Sequence, residues 1–278
     1  MLPSKNPMTD GALTIGIVGG TGKMGRAIFH ESLNREDMST SLILARRADL
    51  LEADRSFTAA DQEARSPIQF LTTVDKPSCR VMIDFSHPSM MERYVPALLR
   101  SPTPLVIGTS GVRDHPGFAG IEQLSRYAPV LAATNVSLGM SILFHMVKEI
   151  SKLMPISYHA EVLDIHQRTK REAPGDTAKK LAQTLAECRG KAHQAEFPIV
   201  MNGESRGEGD LSIGVQALRL GYGVGEHTVY FAGPGERLEL THRVFDRSIL
   251  AKTVLSAAEW IVDQAPGLYD MNDFYGII

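Results

Sequence analysis

From Leu13 to about Val136, short apolar runs of β type alternate with runs of helical spacing, and this alternation restricts the fold more than any other feature of the chain. The strand-type runs are LTIGIV (13–18), SLILA (41–45), VMIDF (81–85), PLVIG (104–108) and VLAAT (130–134). Each is nearly continuous in apolar character rather than alternating, as expected of parallel strands covered on both faces. Between them, KMGRAIFHESL, SMMERYVPALLR and FAGIEQLSRY have the spacing of amphipathic helices. Strand and helix in alternation build βαβ units, and βαβ units build a parallel sheet.

Beyond Ser137 the texture changes. A helix-like stretch, MSILFHMVKEISKLM, is followed by Pro155 and then by runs with period-2 character: YHAEVLDIH (158–166), LSIGVQALR (211–219), HTVYFA (227–232) and ERLELTHRV (236–244). Five glycines lie between Arg206 and Gly225, and Gly233-Pro234-Gly235 reads as a hairpin turn. The pattern predicts a second domain of mixed or antiparallel sheet. A last helix, over 248–264, ends at Pro266-Gly267 and has an apolar face long enough to dock.

A length of 278 residues suits two such domains. The net charge of −3 provides no electrostatic footprint for nucleic acid, so an anionic ligand has to be met by local charge. Cys79 and Cys188 are too few and too far apart for a disulfide framework or a closed zinc site; the expectation is a reducing, cytoplasmic setting and no metal. Residues 1–12 lack the apolar core of a signal peptide and read as a flexible extension, and no run of 18 apolar residues predicts a membrane partner.

In GIVGGTGKMG (16–25) the glycines Gly19, Gly22 and Gly25 keep a spacing of three between an apolar strand and a helix. A nucleotide-binding turn needs a residue free to take positive φ, no side chain where backbone meets pyrophosphate, and close helix packing, and these glycines can fill the three roles. The other reading is a plain tight turn. Where the second strand ends, an NAD site would carry Asp or Glu for the ribose 2′-hydroxyl, but the chain reads Leu44-Ala45-Arg46-Arg47. Two guanidiniums there suit a 2′-phosphate, the alternative being a solvated basic strand end. Gly108-Thr109-Ser110-Gly111 and Ala133-Thr134-Asn135-Val136-Ser137 follow the fourth and fifth strands, where open α/β sheets bind ligands, and are expected to border the nicotinamide.

The segment HQRTKREAPGDT (166–177) ends the first strand of the second domain and opens a helix. In that helix Leu181, Leu185 and Cys188 share one face, Gly190 is expected to stop it, and Asp176 or Thr177 to cap its start. A strand end bearing His166, Arg168, Lys170 and Arg171 thus faces a helix N-terminus, a combination that collects carboxylates. Either His166 or Lys170 can supply a proton near neutral pH; otherwise the segment is a solvated basic loop.

Six ordered motifs, GxxGxMG (19–25), IDFSHP (83–88), IGTSG (107–111), ATNVSLG (133–139), HQRTKREAPGDTA (166–178) and GEHTVYFAGPGERLELTHR (225–243), resemble the dihydrodipicolinate reductases of bacterial diaminopimelate and lysine synthesis. The resemblance implies a Rossmann-like nucleotide domain (13–137 with 245–278) and an α+β mixed-sheet domain for substrate binding and tetramerisation (138–244). It implies reduction of 4-hydroxy-tetrahydrodipicolinate to tetrahydrodipicolinate, with NADPH the preferred cofactor and NADH also usable. By position, Gly19, Gly20, Thr21, Gly22, Lys23 and Met24 would contact the pyrophosphate, and Arg46 and Arg47 the adenosine ribose. Gly108, Thr109, Ser110, Ala133, Thr134, Asn135 and Val136 would line the rest of the cofactor site. His166 corresponds to the proton donor and Lys170 to the essential lysine, with Gln167, Arg168, Gly175, Asp176 and Thr177 toward the substrate carboxylates.

Three positions depart from the family. Gln167 replaces a second histidine and can donate a hydrogen bond but carries no charge. Asp176 brings an anion to the presumed carboxylate nest; it repels a dicarboxylate if it points inward and is harmless if it caps the helix from outside, which is the role expected here. Ala45, in place of a frequent acid, favours NADPH. The departures also allow two other readings: a reductase of another small cyclic imine, or a catalytically silent NADPH-binding regulator.

Overall fold

The computed structural model describes residues 12–46, 68–133, 135–201, 207 and 209–277. They form two compact units, one of the residues up to Val136 together with Arg247–Gly276, the other of Ser137–Asp246.

In the first unit the strands are β1 (Leu13–Val18), β2 (Met38–Leu44), β3 (Gln69–Leu71), β4 (Val81–Asp84), β5 (Leu105–Ile107), β6 (Pro129–Ala132) and β12 (Gly267–Tyr269). They pair in the order β12-β6-β5-β4-β1-β2-β3, every pair parallel. The continuous apolar runs follow from this arrangement. Ile15, Ile17 and Ile83 face helices α1 (Lys23–Leu33) and α6 (Ser248–Ile261), burying Ile28, Phe29, Val254 and Ala258. Val18, Leu42, Met82 and Ile107 face α2 (Met91–Arg100) and α3 (Phe118–Leu124), burying Tyr94, Leu98 and Ile121. A side chain of either parity therefore meets a helix, and alternation disappears from the strand sequence.

Several boundaries differ from the sequence expectation. β2 starts three residues earlier, at Met38, because its first half alternates between buried and half-buried positions (Met38, Thr40, Leu42) rather than running apolar. The short strands β3 and β12 and helix α7 (Met271–Tyr275) have no expected counterpart, since three residues, or five in α7, carry no readable period.

The second unit holds α4 (Leu138–Leu153), β7 (His159–His166), α5 (Asp176–His193), β8 (Ile199–Met201), β9 (Ile213–Arg219), β10 (Gly225–Gly233) and β11 (Glu236–Val244). The sheet order is β11-β10-β7-β9-β8, antiparallel on the β10 side of β7 and parallel on the β9 side, a mixed sheet as expected. Gly233 pairs with Glu236, so Pro234-Gly235 makes the expected tight hairpin. Val162, Val215, Val229 and Phe231 pack under Leu143, Val147, Leu181 and Leu185 of the two helices.

Two expectations for α5 fail. Gly190 does not stop it; the helix runs to His193 and ends at Gln194, which takes φ 52. A glycine inside a helix costs only about 1 kcal/mol relative to alanine, and Arg189 holds the last turns in place. It is buried, donates to the carbonyls of Pro155, Ile156 and Tyr158, and lies 4.8 Å over the Phe197 ring. Nor does Asp176 or Thr177 cap the start. The N-cap is Gly175, with no side-chain cap, and Asp176 is the first helical residue. No helix among the described residues is long and apolar enough to cross a membrane.

Candidate active site

In the parallel sheet the strand order runs outward in opposite directions from β1 and β4, and the crevice beyond their carboxyl ends is where doubly wound sheets bind ligands. The chain leaving β1 turns at Gly19, at φ +78, and the Gly22 N–H donates to the Gly19 carbonyl at 2.9 Å. α1 then begins at Lys23 with Gly22 as N-cap, no side-chain cap and no acid in its first turn. First-turn N–H groups lack intrahelical partners and carry the positive end of the helix dipole. Gly25 lets helix and turn touch: a Cβ there would lie 2.2 Å from the Gly19 carbonyl oxygen.

A cavity of about 220 Å³ opens over this turn, lined by Gly19, Thr21, Gly22, Ala45, Arg46, Phe85, Ser86, His87 and Met90. An uncapped helix start, a glycine floor and the Arg46 guanidinium fit a phosphate-bearing ligand such as a dinucleotide. Of the expected residues, Gly19, Thr21, Gly22 and Arg46 line the cavity together. Gly20 is buried against Ile43, Lys23 is exposed in the first turn, and Met24 packs toward the core. Arg47 and Thr134 lie outside the described residues.

The loops after β5 and β6 do not line this cavity. Gly108 lies against the Phe85 ring, Thr109 is buried, Ser110 is exposed, Ala133 and Val136 belong to the core, and Asn135 is half-buried. One residue that sequence reasoning left without a role explains how two of the loops are held. The fully buried Asp84 carboxylate accepts from Thr109 Oγ1 at 2.9 Å, from Tyr94 Oη at 2.7 Å and from Ser86 Oγ, and the Ser86 N–H donates to Thr109 Oγ1 at 2.7 Å. Burial raises the Asp84 carboxyl above its usual range, with the three hydroxyls opposing the shift. Asp84 thus ties the chain after β4 to the chain after β5.

In the second unit, β7 carries Asp164 and His166 two residues apart, on the same face of the sheet. Sheet register sets His227 of β10 opposite Asp164 and Arg219 of β9 opposite His166. The fully buried Asp164 places Oδ1 2.5 Å from His166 Nδ1 and 3.6 Å from His227 Nε2. Its Oδ2 accepts from the Gly175 N–H at 2.8 Å and from Arg219 at 2.9 Å. Arg219 also donates to the Asp164 and Glu172 carbonyls, tying the loop after β7 to β9. Burial would raise the Asp164 carboxyl, but His166, the Gly175 N–H and Arg219 outweigh it and hold the group well below the usual carboxylate range.

Lys170 leans over the start of α5: a Cβ on Gly175 would lie 3.2 Å from its Nζ, and Glu172 is its ionic neighbour at 3.8 Å. His166, Lys170 and Gly175 are therefore gathered around Asp164. Gln167 is half-buried and its carbonyl accepts from the Lys170 N–H, while Arg168 is exposed. Asp176 is also exposed, 3.8 Å from Lys179, and Thr177 sits half-buried in the first turn.

Residues 13–136 match the sequence profile described as dihydrodipicolinate reductase, N-terminus, and residues 139–275 match dihydrodipicolinate reductase, C-terminus. The chain belongs to the dihydrodipicolinate reductase family. It is 32% identical to the 4-hydroxy-tetrahydrodipicolinate reductase of Pelobacter propionicus, over 95% of this chain and 99% of the relative. It is 34% identical to the enzyme of the same name from Desulfovibrio desulfuricans, over 93% and 98%. Its fold is similar to that of the dipicolinate-bound dihydrodipicolinate reductase from Paenisporosarcina sp. TG-14, with a TM-score of 0.69, 23% identity and coverage of 96% of this chain and all of that one.

Within this family member, sequence reasoning about the polar site missed Asp164, Arg219 and His227. Asp164 had a local signal, its i, i+2 relation to His166. Arg219 and His227 had none, because strand pairing 53 and 63 residues along the chain brings them in.

His227 yields a pH prediction. Burial pushes its pKa down to about 4 from 6.5, with Asp164 opposing and His166, His242 and Lys170 adding to the fall. A histidine kept neutral in the fold stabilises above its unfolded pKa and loses that contribution as pH drops toward the folded value, here from 6.5 to about 4. The contribution is about 3 kcal/mol. Melting temperature measured from pH 7.5 to 4 should fall more steeply in the wild type than in His227→Gln; parallel curves would remove this role.

Proposed function

We propose that the chain reduces 4-hydroxy-tetrahydrodipicolinate, with loss of water, to tetrahydrodipicolinate in diaminopimelate and lysine synthesis, with NADPH preferred over NADH. The observation that carries the reading is the gathering of His166, Lys170 and the start of α5 at one strand end. It occurs in a chain whose nearly full-length relatives bear that enzyme's name. Neither a different cyclic-imine reductase nor a silent regulator is favoured by any of these features.

When bound, a nicotinamide dinucleotide supplies the hydride. Lys170 and Arg168 hold the substrate carboxylates by charge, and the first N–H groups of α5 add to the nest. Since the Gly175 N–H already serves Asp164, the nest rests on the N–H groups of Asp176 and Thr177. The Asp176 side chain, drawn toward Lys179 and exposed, leaves that nest free of its charge. His166 delivers the proton that completes the reduction.

NADPH preference is supported by Arg46 in the cavity wall with Ala45, rather than an acid, beside it. Replacing Arg46 by aspartate should lower kcat/KM for NADPH by about 10–100-fold while NADH loses far less; an unchanged ratio would count against the assignment. The overall reading is tested by supplying the pathway substrate to purified protein and following NADPH oxidation, with pyridine-2,6-dicarboxylate as competitor. No turnover by protein that binds NADPH would sink it.

The proposed state is a cytoplasmic homotetramer. Free Cys79 and Cys188 support a reducing setting, and in the second unit Tyr222 and Phe245, 97% and 88% exposed, support self-association. Light scattering giving four times the chain mass is the expected result.

A further inference from the structure

We propose that Asp164 is the positioning residue for His166, holding Nδ1 so that Nε2 is the nitrogen that exchanges a proton with the substrate. This rests on the function proposed above and adds to it a tautomer, an orienting group and an exit for the proton.

Nδ1 of His166 lies 2.5 Å from Asp164 Oδ1 as an ion pair, and both atoms are buried with no hydrogen-bond partner elsewhere. The carboxylate cannot swing away, because Oδ2 is held by the Gly175 N–H and by Arg219. Arg219 also keeps it anionic, and an anionic carboxylate only accepts, so the proton between the two atoms belongs on Nδ1. The plane of the imidazole is fixed from the side by His227, edge-on with centroids 5.2 Å apart at 75°.

Nε2 of His166 lies over Gly225, where a Cβ would stand only 2.7 Å from it. Any side chain at Gly225 would displace the nitrogen or cover it, so the space Nε2 occupies exists because residue 225 has none.

Asp164, His166 and His227 each offer one ligand atom within 4.8 Å of the other two, a donor set that also invites comparison with a metal site. Two ligand atoms on a tetrahedral ion stand about 3.3 Å apart, whereas Oδ1 and Nδ1 are 2.5 Å apart with the Arg219 cation on the same carboxylate. The spacing suits a shared proton.

The proton leaves Nε2 for the substrate and the N–H electron pair stays on nitrogen. With the hydride from the reduced dinucleotide this completes a two-electron reduction. The Nδ1 proton stays with Asp164 throughout, and solvent restores the proton on Nε2.

Nitrogen-15 spectra of the His166 ring, recorded at a pH where it is neutral, test the proposal directly. The wild type should show a protonated Nδ1 and a bare Nε2; the reverse would overturn it. In Asp164→Asn that preference should be lost and kcat should fall by about 100-fold or more. KM for substrate and NADPH should stay within about threefold, because Lys170, Arg168 and the N–H groups of Asp176 and Thr177 are themselves unchanged. A kcat near wild type, or a loss carried mainly by KM, would also overturn it.

Should Asp164→Asn fail to fold, Gly225→Ala carries the same test from the other end of the ring. It removes no polar group that touches Asp164, and should keep the protonated Nδ1 while lowering kcat by about tenfold or more; unchanged kcat would overturn the role of Nε2. A wild type inactive on the pathway substrate would sink the function, yet the tautomer would still decide this proposal.

Discussion

His166→Ala protein is expected to lose about 10²–10⁴ of its kcat for the pathway substrate, with NADPH binding unchanged. The ring sits in the second unit, held by contacts to Asp164 and His227, whereas the glycine turn belongs to the first. Lys170→Ala should fail differently. Its Nζ leans over the carboxylate-collecting start of α5, so removing the charge should raise KM for the substrate and weaken inhibition by pyridine-2,6-dicarboxylate by about 10–100-fold. Steady-state kinetics on the two variants separates the roles: proton delivery lives in kcat and carboxylate capture in KM. Equal and modest effects in both variants would return the segment to a solvated basic loop.

The second large effect concerns the glycine turn. Gly25→Ala would place a methyl 2.2 Å from the Gly19 carbonyl oxygen and 2.6 Å from Gly20 Cα, both backbone atoms with nowhere to go. Helix and turn must part, so the variant should lose roughly 3 kcal/mol or more of stability and dinucleotide binding with it. Gly22→Ala is the informative contrast. Its nearest atom would be the Gly19 carbonyl oxygen at 3.2 Å, and Gly22 already has φ −78, so the fold should survive. Because Gly22 lines the cavity, the added methyl should meet the ligand instead. Titration with NADPH and thermal melting of both variants would resolve a phosphate cradle from a plain turn; full binding by Gly22→Ala would favour the turn.

Much of this molecule could be read before it was folded, for reasons that differ by region. The parallel sheet announced itself because both faces are covered, so LTIGIV and VMIDF run apolar without a break. Strands β3, β8 and β12 escaped because three residues are too short to show any period. The end of α5 was misplaced because Gly190 resembles a stop signal, while the buried Arg189 stabilises the turn beyond it through distant carbonyls. His166 and Lys170 were visible as a local segment. Asp84 was visible only as a strand residue, since the hydroxyls that give it meaning come from residues 94 and 109. Arg219 and His227 reached the polar site through register, which no local window contains.

The first unit is discontinuous in the chain, and this governs the order in which a ribosome can finish it. Its sheet closes at one edge with β12 on β6, and α6 lies across β4, β5 and β6 on the side of Ile83, Val106 and Leu131, yet both elements come from Arg247–Gly276. Synthesis therefore exposes this face of β4, β5 and β6 early and covers it last, after the whole second unit has emerged. Until then one apolar face of the nascent sheet is open to water, which is the condition under which chaperone capture competes with folding. For this chain the earliest sequence to be made is part of the last structure to be completed.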